Sequence, residues 1–424
     1  MIYNESKYNQ QWDTKKLSEL GKFARGKSKH RPRNDERLFE GGGYPLVQTG
    51  EIKDANLYIT HHEQEYGEFG LHQSKLWDAG TLCITIAANI AETALLSYPM
   101  CFPDSVVGFQ AYKDISSEKF MYYVFEYVRT SIQNSVTGSI QDNINIEYLT
   151  SLDFKVPSKK YQDDIVALLS AIDEKILLNN EINDNLRQQM KLLYDYWFTQ
   201  FDFPDENGNP YNSSGGLMVS TNKLPYKIPV DWTVCNLFKN PLTTIIKPGI
   251  DIFETKNYLA TAEVNETDIS TGTIIEYETR ESRANMQPTV NSVWFAKMKN
   301  SIKHLYLNNE MQELICNSIL STGFCGLQCT ETSFEYVASF IEHSYFETLK
   351  DTLAQGATQE AVNNDDLTGI ALVIPPTDIL DLYHERTRGI YSQISKNICE
   401  NQELTQLRDW LLPMLMNGQA IITD

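Results

Sequence analysis

The sequence predicts an α+β fold: two globular domains, related by a pseudo-twofold duplication, joined by two long helices that form an antiparallel coiled coil. Three observations predict it. The chain repeats itself once across its 424 residues. Each copy runs from short strand-like segments into one long helix. Both long helices carry the same pair of asparagines in an otherwise apolar seam.

The duplication shows as a constant shift of 218 residues. It pairs Gly138 and Gln141 with Gly356 and Gln359, Asn145 with Asn363, Leu149-Thr150 with Leu367-Thr368, and Pro157 with Pro375. It also pairs Gly108 and Gln110 with Gly326 and Gln328, and continues through Ile172/Ile390, Ile176/Ile394, Asn179/Asn397, Asn183/Asn401, Leu186/Leu404 and Leu193/Leu411. Nearer the N-terminus the shift becomes 220, matching Trp12 and Leu17 to Trp232 and Leu237. An ungapped register from 108 to 193 is difficult to obtain by chance.

Each copy opens on a tryptophan, Trp12 or Trp232, and continues through strand-like runs such as 81–86 and 292–295. An aromatic-rich helix follows (120–132; 334–349), then a Gly-x-x-Gln loop, an apolar strand ending in proline (152–157; 370–375) and the long helix. The seams read Ile165, Leu169, Ile172, Ile176, Asn179, Asn183, Leu186, Met190, Leu193, Trp197, and Tyr383, Thr387, Ile390, Ile394, Asn397, Asn401, Leu404, Arg408, Leu411, Leu415. These alternating steps of three and four suit a coiled coil or an amphipathic helix on its own domain. Asn179, Asn183, Asn397 and Asn401 favour pairing between the helices, because a buried amide needs a partner and finding one fixes register. From Tyr161 to Thr199 a helix covers roughly 58 Å at 1.5 Å per residue, more than one DNA turn of about 34 Å. The expected organisation is a first domain over 1–157, a central helix over 158–200, a polar, turn-rich spacer over 201–227, a second domain over 228–377 and a C-terminal helix over 378–424.

The net charge of -20, from 36 Lys+Arg against 56 Asp+Glu, argues against a protein that coats nucleic acid. Its distribution qualifies this. Residues 1–150 carry 15 basic and 19 acidic groups, whereas 227–378 carry 10 and 20. Within the first copy, Lys22 to Arg37 holds seven basic side chains against Asp35 and Glu36. The loop containing Lys27, Lys29, His30, Arg31 and Arg33 therefore reads as a contact for DNA phosphates and base edges. Gln48, Thr49, Ser139, Gln141 and Asn143 lie in polar turns and suit base readout, since Gln and Asn take an adenine edge with two bonds. Lys247, Thr358 and Gln359 are the analogous residues of the second copy. Lys247 is aligned to Lys27 by the 220 shift, and Thr261 matches Thr49.

Other chemistries find little support. Residues 21–28 match the P-loop pattern letter for letter, but a P-loop needs a buried strand before it and a helix after it. Here 13–20 is polar and Pro32 follows closely. Cys325 and Cys329, and His61, His62 and His72, lack metal-ligand spacing, so no metal site is expected. No methyltransfer or nuclease motif is found, and the chain is expected to have no catalytic residue and no cofactor of its own. The most apolar stretch, 79–100, is interrupted by Asn89 and Glu92, so no membrane span is expected. The N-terminus lacks the features of a secretory leader, and seven cysteines at irregular spacing suit a reducing cytoplasm.

Several runs sharpen the reading. Residues 197–204, followed by 207–211 and 213–216, resemble the central spacer of the specificity subunits of type I restriction–modification enzymes. Ile228-Pro229 with Trp232 resembles the start of their second target recognition domain, and 411–419 their C-terminus. Residues 26–35 with 44–50 are similar to one branch of first target recognition domains. The resemblance covers essentially the whole chain. It implies a bacterial or archaeal subunit that reads a bipartite double-stranded DNA target, one half-site per target recognition domain. The paired helices would set the spacing and dock two methylation subunits, with restriction subunits joining to cleave. S-adenosylmethionine and ATP/Mg would belong to those partners. The other reading of the same residues is a duplicated, non-catalytic scaffold that binds only protein.

Overall fold

The computed structural model describes residues 2–87, 90–137, 146–356 and 360–422. They form two units, 1–177 with 404–424, and 178–403. Each unit thus holds one copy's globular part together with a segment of each long helix.

In the first unit a five-stranded sheet runs in the order Gly21–Arg25, Val106–Ala111, Leu82–Thr85, Thr93–Leu96, Tyr58–Ile59. A four-stranded sheet follows the order Gln64–Tyr66, Tyr44–Leu46, Met100–Cys101, Leu76–Trp77. The second unit repeats this plan. One sheet is Thr243–Ile245, Phe324–Cys329, Ser292–Ala296, His304–Leu307; the other is Thr273–Glu276, Thr255–Leu259, Ser318–Ser321, Ala284–Met286. Each plan also joins the strand after the leading tryptophan to the strand before the long helix: Asp13–Lys16 to Asp153–Val156, and Thr233–Asn236 to Ala371–Ile374. The central strands are apolar on both faces, as with Leu82–Thr85 and Ser292–Ala296, and every residue of both is buried.

The duplication extends to individual backbone hydrogen bonds. Leu17 N–H donates to Leu152 O at 3.0 Å, and Leu237 N–H to Ile370 O at 2.9 Å. Tyr112 N–H donates to Leu20 O at 2.9 Å, and Thr330 N–H to Leu242 O at 3.3 Å. The first comparison keeps shifts of 220 and 218. The second moves Leu20 by 222 to Leu242 while Tyr112 still moves by 218 to Thr330. The second copy has therefore gained two residues between Leu237 and Leu242.

The long helices are Lys159–Tyr194 and Thr377–Met416. In the second unit they pair antiparallel through amides. Asn179 Nδ2 donates to Asn401 Oδ1 at 2.9 Å and to Glu400 Oε2 at 2.8 Å, and Asn397 Nδ2 to Asn183 Oδ1 at 2.8 Å. A step of four up one helix meets a step of four down the other. In the first unit, Tyr161 Oη donates to Ala420 O at 3.0 Å and Arg408 Nη1 to Asp173 Oδ1 at 3.0 Å. Twelve residues up again meet twelve residues down. The chain end is tied to the chain start by Asn4, whose Nδ2 donates to Lys155 O and to Met416 O. The spacer is ordered too. The Asp202 carboxylate accepts from Ser213 N–H and Oγ–H, and Phe203 stacks between Tyr211 and Trp232.

Two local expectations are corrected. The aromatic helix expected over 334–349 is two helices, Phe334–Glu342 and Ser344–Leu353. His343 is extended between them, and its Nδ1 caps the second by accepting from Tyr345 N–H at 3.1 Å. The long helix expected to reach Thr199 keeps its α form to Tyr194 and ends in a wider π turn over Asp195–Thr199. The P-loop-like run is a strand, Gly21–Arg25, entering an irregular segment.

Candidate nucleic-acid interface

The basic segment leaves the edge of the five-stranded sheet after Arg25 and crosses to the short helix Glu68–Gln73, which leads into strand Leu76–Trp77 of the four-stranded one; Lys29 N–H donates there to Gln73 O at 3.1 Å. Lys27, Lys29, Arg31 and Arg33 are all exposed. Exposure does not make them equivalent. The two arginines face Asp104: Arg33 Nη2 lies 2.5 Å from Oδ1 and Arg31 Nη2 3.5 Å from Oδ2. Arg31 Nη1 also donates to the carbonyls of Ser28 and His30. His30 Nε2 sits 2.7 Å from Asp35 Oδ2, and Arg37 grips the same carboxylate from Nε and Nη2 at 3.0 and 2.7 Å. The Arg37 hydrogen bonds, with that of His30, hold the Asp35 carboxyl well below the usual carboxylate range. By contrast, Lys22, Arg25, Lys27 and Lys29 form no ion pair among the described residues.

Gln48 is exposed and precedes the short helix Thr49–Asp54. Its backbone N–H donates to Glu51 Oε2 at 2.6 Å, and its Nε2 lies 3.4 Å from Gln64 Oε1. Thr49 is half-buried in the first turn. In the second unit, Thr261 opens a 3-10 turn at the matching place, with Ala260 where the first unit has Gln48. Ser139, Gln141, Asn143, Thr358 and Gln359 lie outside the described residues. The chain on either side of 357–359 is fixed: Gln355 and Ala361 exchange backbone hydrogen bonds at 3.1 and 3.0 Å, and Lys299 N–H donates to Glu360 O at 3.0 Å.

Lys247 is exposed but stands elsewhere than the sequence alignment put it. Ile246 N–H donates to Gly326 O, and Gly326 is the counterpart of Gly108, which pairs with Ala24. Ile246 therefore matches Ala24, and Lys247 matches Arg25. The two inserted residues upstream cause the slip. The true counterpart of Lys27 is Gly249, at φ +147°, a backbone that side chains rarely adopt.

Lys75 and Asp104 were absent from the sequence-based set. Lys75 has a readable signal: with Trp77 it forms a Lys-x-Trp pair at strand spacing, which puts both side chains on one face. Asp104 had none, because its pairing with the arginines spans about seventy residues and depends on the fold. No group of three or more metal-ligating side chains occurs among the described residues.

Comparisons with known proteins extend these observations. Residues 9–188 match a family described as the type I restriction modification DNA specificity domain. The MjaIX type I restriction enzyme specificity subunit of Methanocaldococcus jannaschii is 22% identical over 439 aligned residues, spanning 97% of this chain and 94% of that one. The HindI specificity subunit of Haemophilus influenzae is 23% identical over 333 residues, spanning 65% and 71%. In fold, the crystal structure of the S subunit of a type I restriction–modification system from M. genitalium covers the whole of both chains, with a TM-score of 0.54 and 14% identity.

Proposed function

We propose that this chain is a specificity subunit of the type I restriction–modification family and that it reads a bipartite double-stranded DNA target with one half-site per globular domain. It is a DNA-recognition component and carries no catalysis itself. The observation that carries the reading is the duplication: two copies of one sheet plan, tied by equivalent backbone hydrogen bonds at their first and last strands. Duplicated readers on one chain suit a target with two parts.

Lys27, Lys29, His30, Arg31 and Arg33 are the proposed contacts of the first half-site. Gln48 and Thr49 are proposed to add base readout, with Ser139, Gln141 and Asn143. Lys247, Thr358 and Gln359 serve the second. The asparagines of the helix seam set its register. The partners are two methylation subunits bringing S-adenosylmethionine and restriction subunits bringing ATP/Mg, in a bacterial or archaeal cytoplasm. No helix among the described residues is long and apolar enough to cross a membrane.

The test is single-molecule methylome sequencing of cells carrying the neighbouring methylation subunit, with and without this chain. A split motif with a fixed gap, present only with the chain, is the expected result. An assembled complex that leaves no chain-dependent motif sinks the reading in favour of a protein-binding scaffold.

A further inference from the structure

The cations of the first unit divide into two classes. Arg31 and Arg33 share the Asp104 carboxylate, and Arg37 holds Asp35. Such groups already have a counter-charge. Lys27 and Lys75 have none within ion-pair distance among the described residues.

The backbone brings these two together. The hydrogen bond from Lys29 N–H to Gln73 O lays 27–29 beside 73–75. Burial lowers the affinity of the Lys75 amine for its proton, and the positive field of Lys27 lowers it further; Asp78 opposes this from beyond ion-pair distance. Two ammonium groups near enough to feel each other's field, with no carboxylate within ion-pair distance of either among the described residues, are mutually repulsive. A protein with 56 acidic groups has ample means to neutralise such a pair and does not do so here.

The Lys75 ammonium is also held in place. Its Nζ lies 3.3 Å from the centre of the Trp77 ring. That ring is 3% exposed and stacks on Phe102 at 4.8 Å with planes 19° apart. It also lies in a packed core cluster against bare backbone, where a side chain at Gly108 would come within 2.7 Å of the ring. The platform cannot shift, so the cation over it is pre-positioned and loses little freedom on meeting an anion.

We propose that Lys27 and Lys75, the latter fixed on Trp77, form the seat for DNA backbone phosphate in the first domain, and that Lys75 positions the duplex without reading its sequence. This rests on the DNA-reading function proposed above. Phosphate contacts set register and orientation while base contacts specify. The second domain lacks this seat at the matching place, where Gly249 replaces Lys27.

The experiment uses the complete chain assembled with its methylation subunits. Binding to a duplex with the methylated motif, and to a scrambled duplex, is measured across a salt series. For Lys75→Gln the slope of log K against log salt should flatten by roughly 0.9, and for Lys27→Gln with Lys75→Gln by about twice that. Affinity for both duplexes should fall by the same factor, and the methylated motif should stay unchanged. Lys75→Arg should restore the slope. A wild-type slope for Lys75→Gln, in a complex whose wild type methylates a split motif, overturns the phosphate seat and leaves the reader intact. Loss of affinity for the motif duplex alone overturns it too, by making Lys75 a base reader. A wild-type complex that methylates no split motif sinks both readings.

Discussion

The two units solve one problem with different side chains. Position 173 of the first long helix and position 391 of the second are repeat counterparts, one residue past Ile172 and Ile390. In the first unit this position is Asp173, whose side chain is 4% exposed and takes hydrogen bonds from Tyr123 Oη at 2.6 Å and Arg408 Nη1 at 3.0 Å. In the second it is Tyr391, which is buried and shares Ser339 Oγ with Tyr383 at 3.1 and 3.0 Å. One seam is closed by a charged triad, the other by neutral hydroxyls. Duplicated backbone hydrogen bonds preserve the plan, and the side chains between them are free to diverge as long as each polar group keeps a partner.

That contrast sets the largest expected effect. Asp173→Ala leaves the Arg408 guanidinium with only the exposed Asp409 carboxylate and Tyr123 Oη without its acceptor, and should cost about 3 kcal/mol. Tyr391→Phe removes one hydroxyl from a neutral network and should cost about 1 kcal/mol. Urea unfolding of the two variants measures both. Equal losses would break the comparison, because they would show that the charged triad is no more dependent on its partner than the neutral one.

The asparagine ladder gives the next effect. The first asparagine of each copy meets the second of the other: Asn179 with Asn401, Asn397 with Asn183. Asn183→Leu leaves Asn397 Nδ2 without its acceptor, while Asn397 Oδ1 keeps Gln393 Nε2, and should cost about 1–3 kcal/mol. Replacing both Asn183 and Asn397 by Leu should recover most of it, since no buried amide is then left unpaired. A double-mutant cycle checks this, and additive losses would show that the amides do not act as a pair.

A third effect concerns the surfaces. Gly249→Lys would install the missing lysine at φ +147° and should cost about 1–3 kcal/mol of strain. Lys27→Gln, on an exposed segment, should stay within about 0.5 kcal/mol of wild type. If thermal unfolding shows Gly249→Lys as harmless, backbone conformation is not what keeps the second unit without a lysine here.

How much of this was legible in the sequence follows from which interactions are local. The heptad seams and paired asparagines were readable because helix periodicity is a local rule, and the antiparallel pairing then follows from burying two amides each. The duplication was readable because shared residues such as Gly108 and Gly326 lie where backbone meets rings, at Trp77 and Trp294. The slip at Lys247 was not. Two residues added between Leu237 and Leu242 leave no mark until hydrogen bonds to Thr330 and Gly326 show which strand position is which. Nor could a count of positive charge from Lys22 to Arg37 distinguish paired cations from free ones. Asp104 and Asp35 are two carboxylates among 56 acidic groups, and the fold alone shows that they hold three of those cations, Arg31, Arg33 and Arg37.

The smallest change in stability goes with the most informative change in binding. The Arg31, Arg33 and Asp104 side chains are 53%, 52% and 39% exposed, so breaking their pairs should move stability by under about 1 kcal/mol. Yet Asp104 occupies the arginine groups that a phosphate or a guanine edge would otherwise engage. If those arginines meet DNA, a carboxylate in that place taxes every encounter equally, and only a site whose base contacts offset the exchange binds well. Asp104→Asn should therefore leave unfolding almost unchanged. It should tighten binding to scrambled duplex more than to the motif duplex, with a salt slope steeper by roughly 0.9 for each arginine released. Unchanged binding to scrambled DNA would mean that Arg31 stays tied to the Ser28 and His30 carbonyls without Asp104 and that a released Arg33 meets no phosphate. The free lysines would then be the whole of the first unit's hold on the DNA backbone.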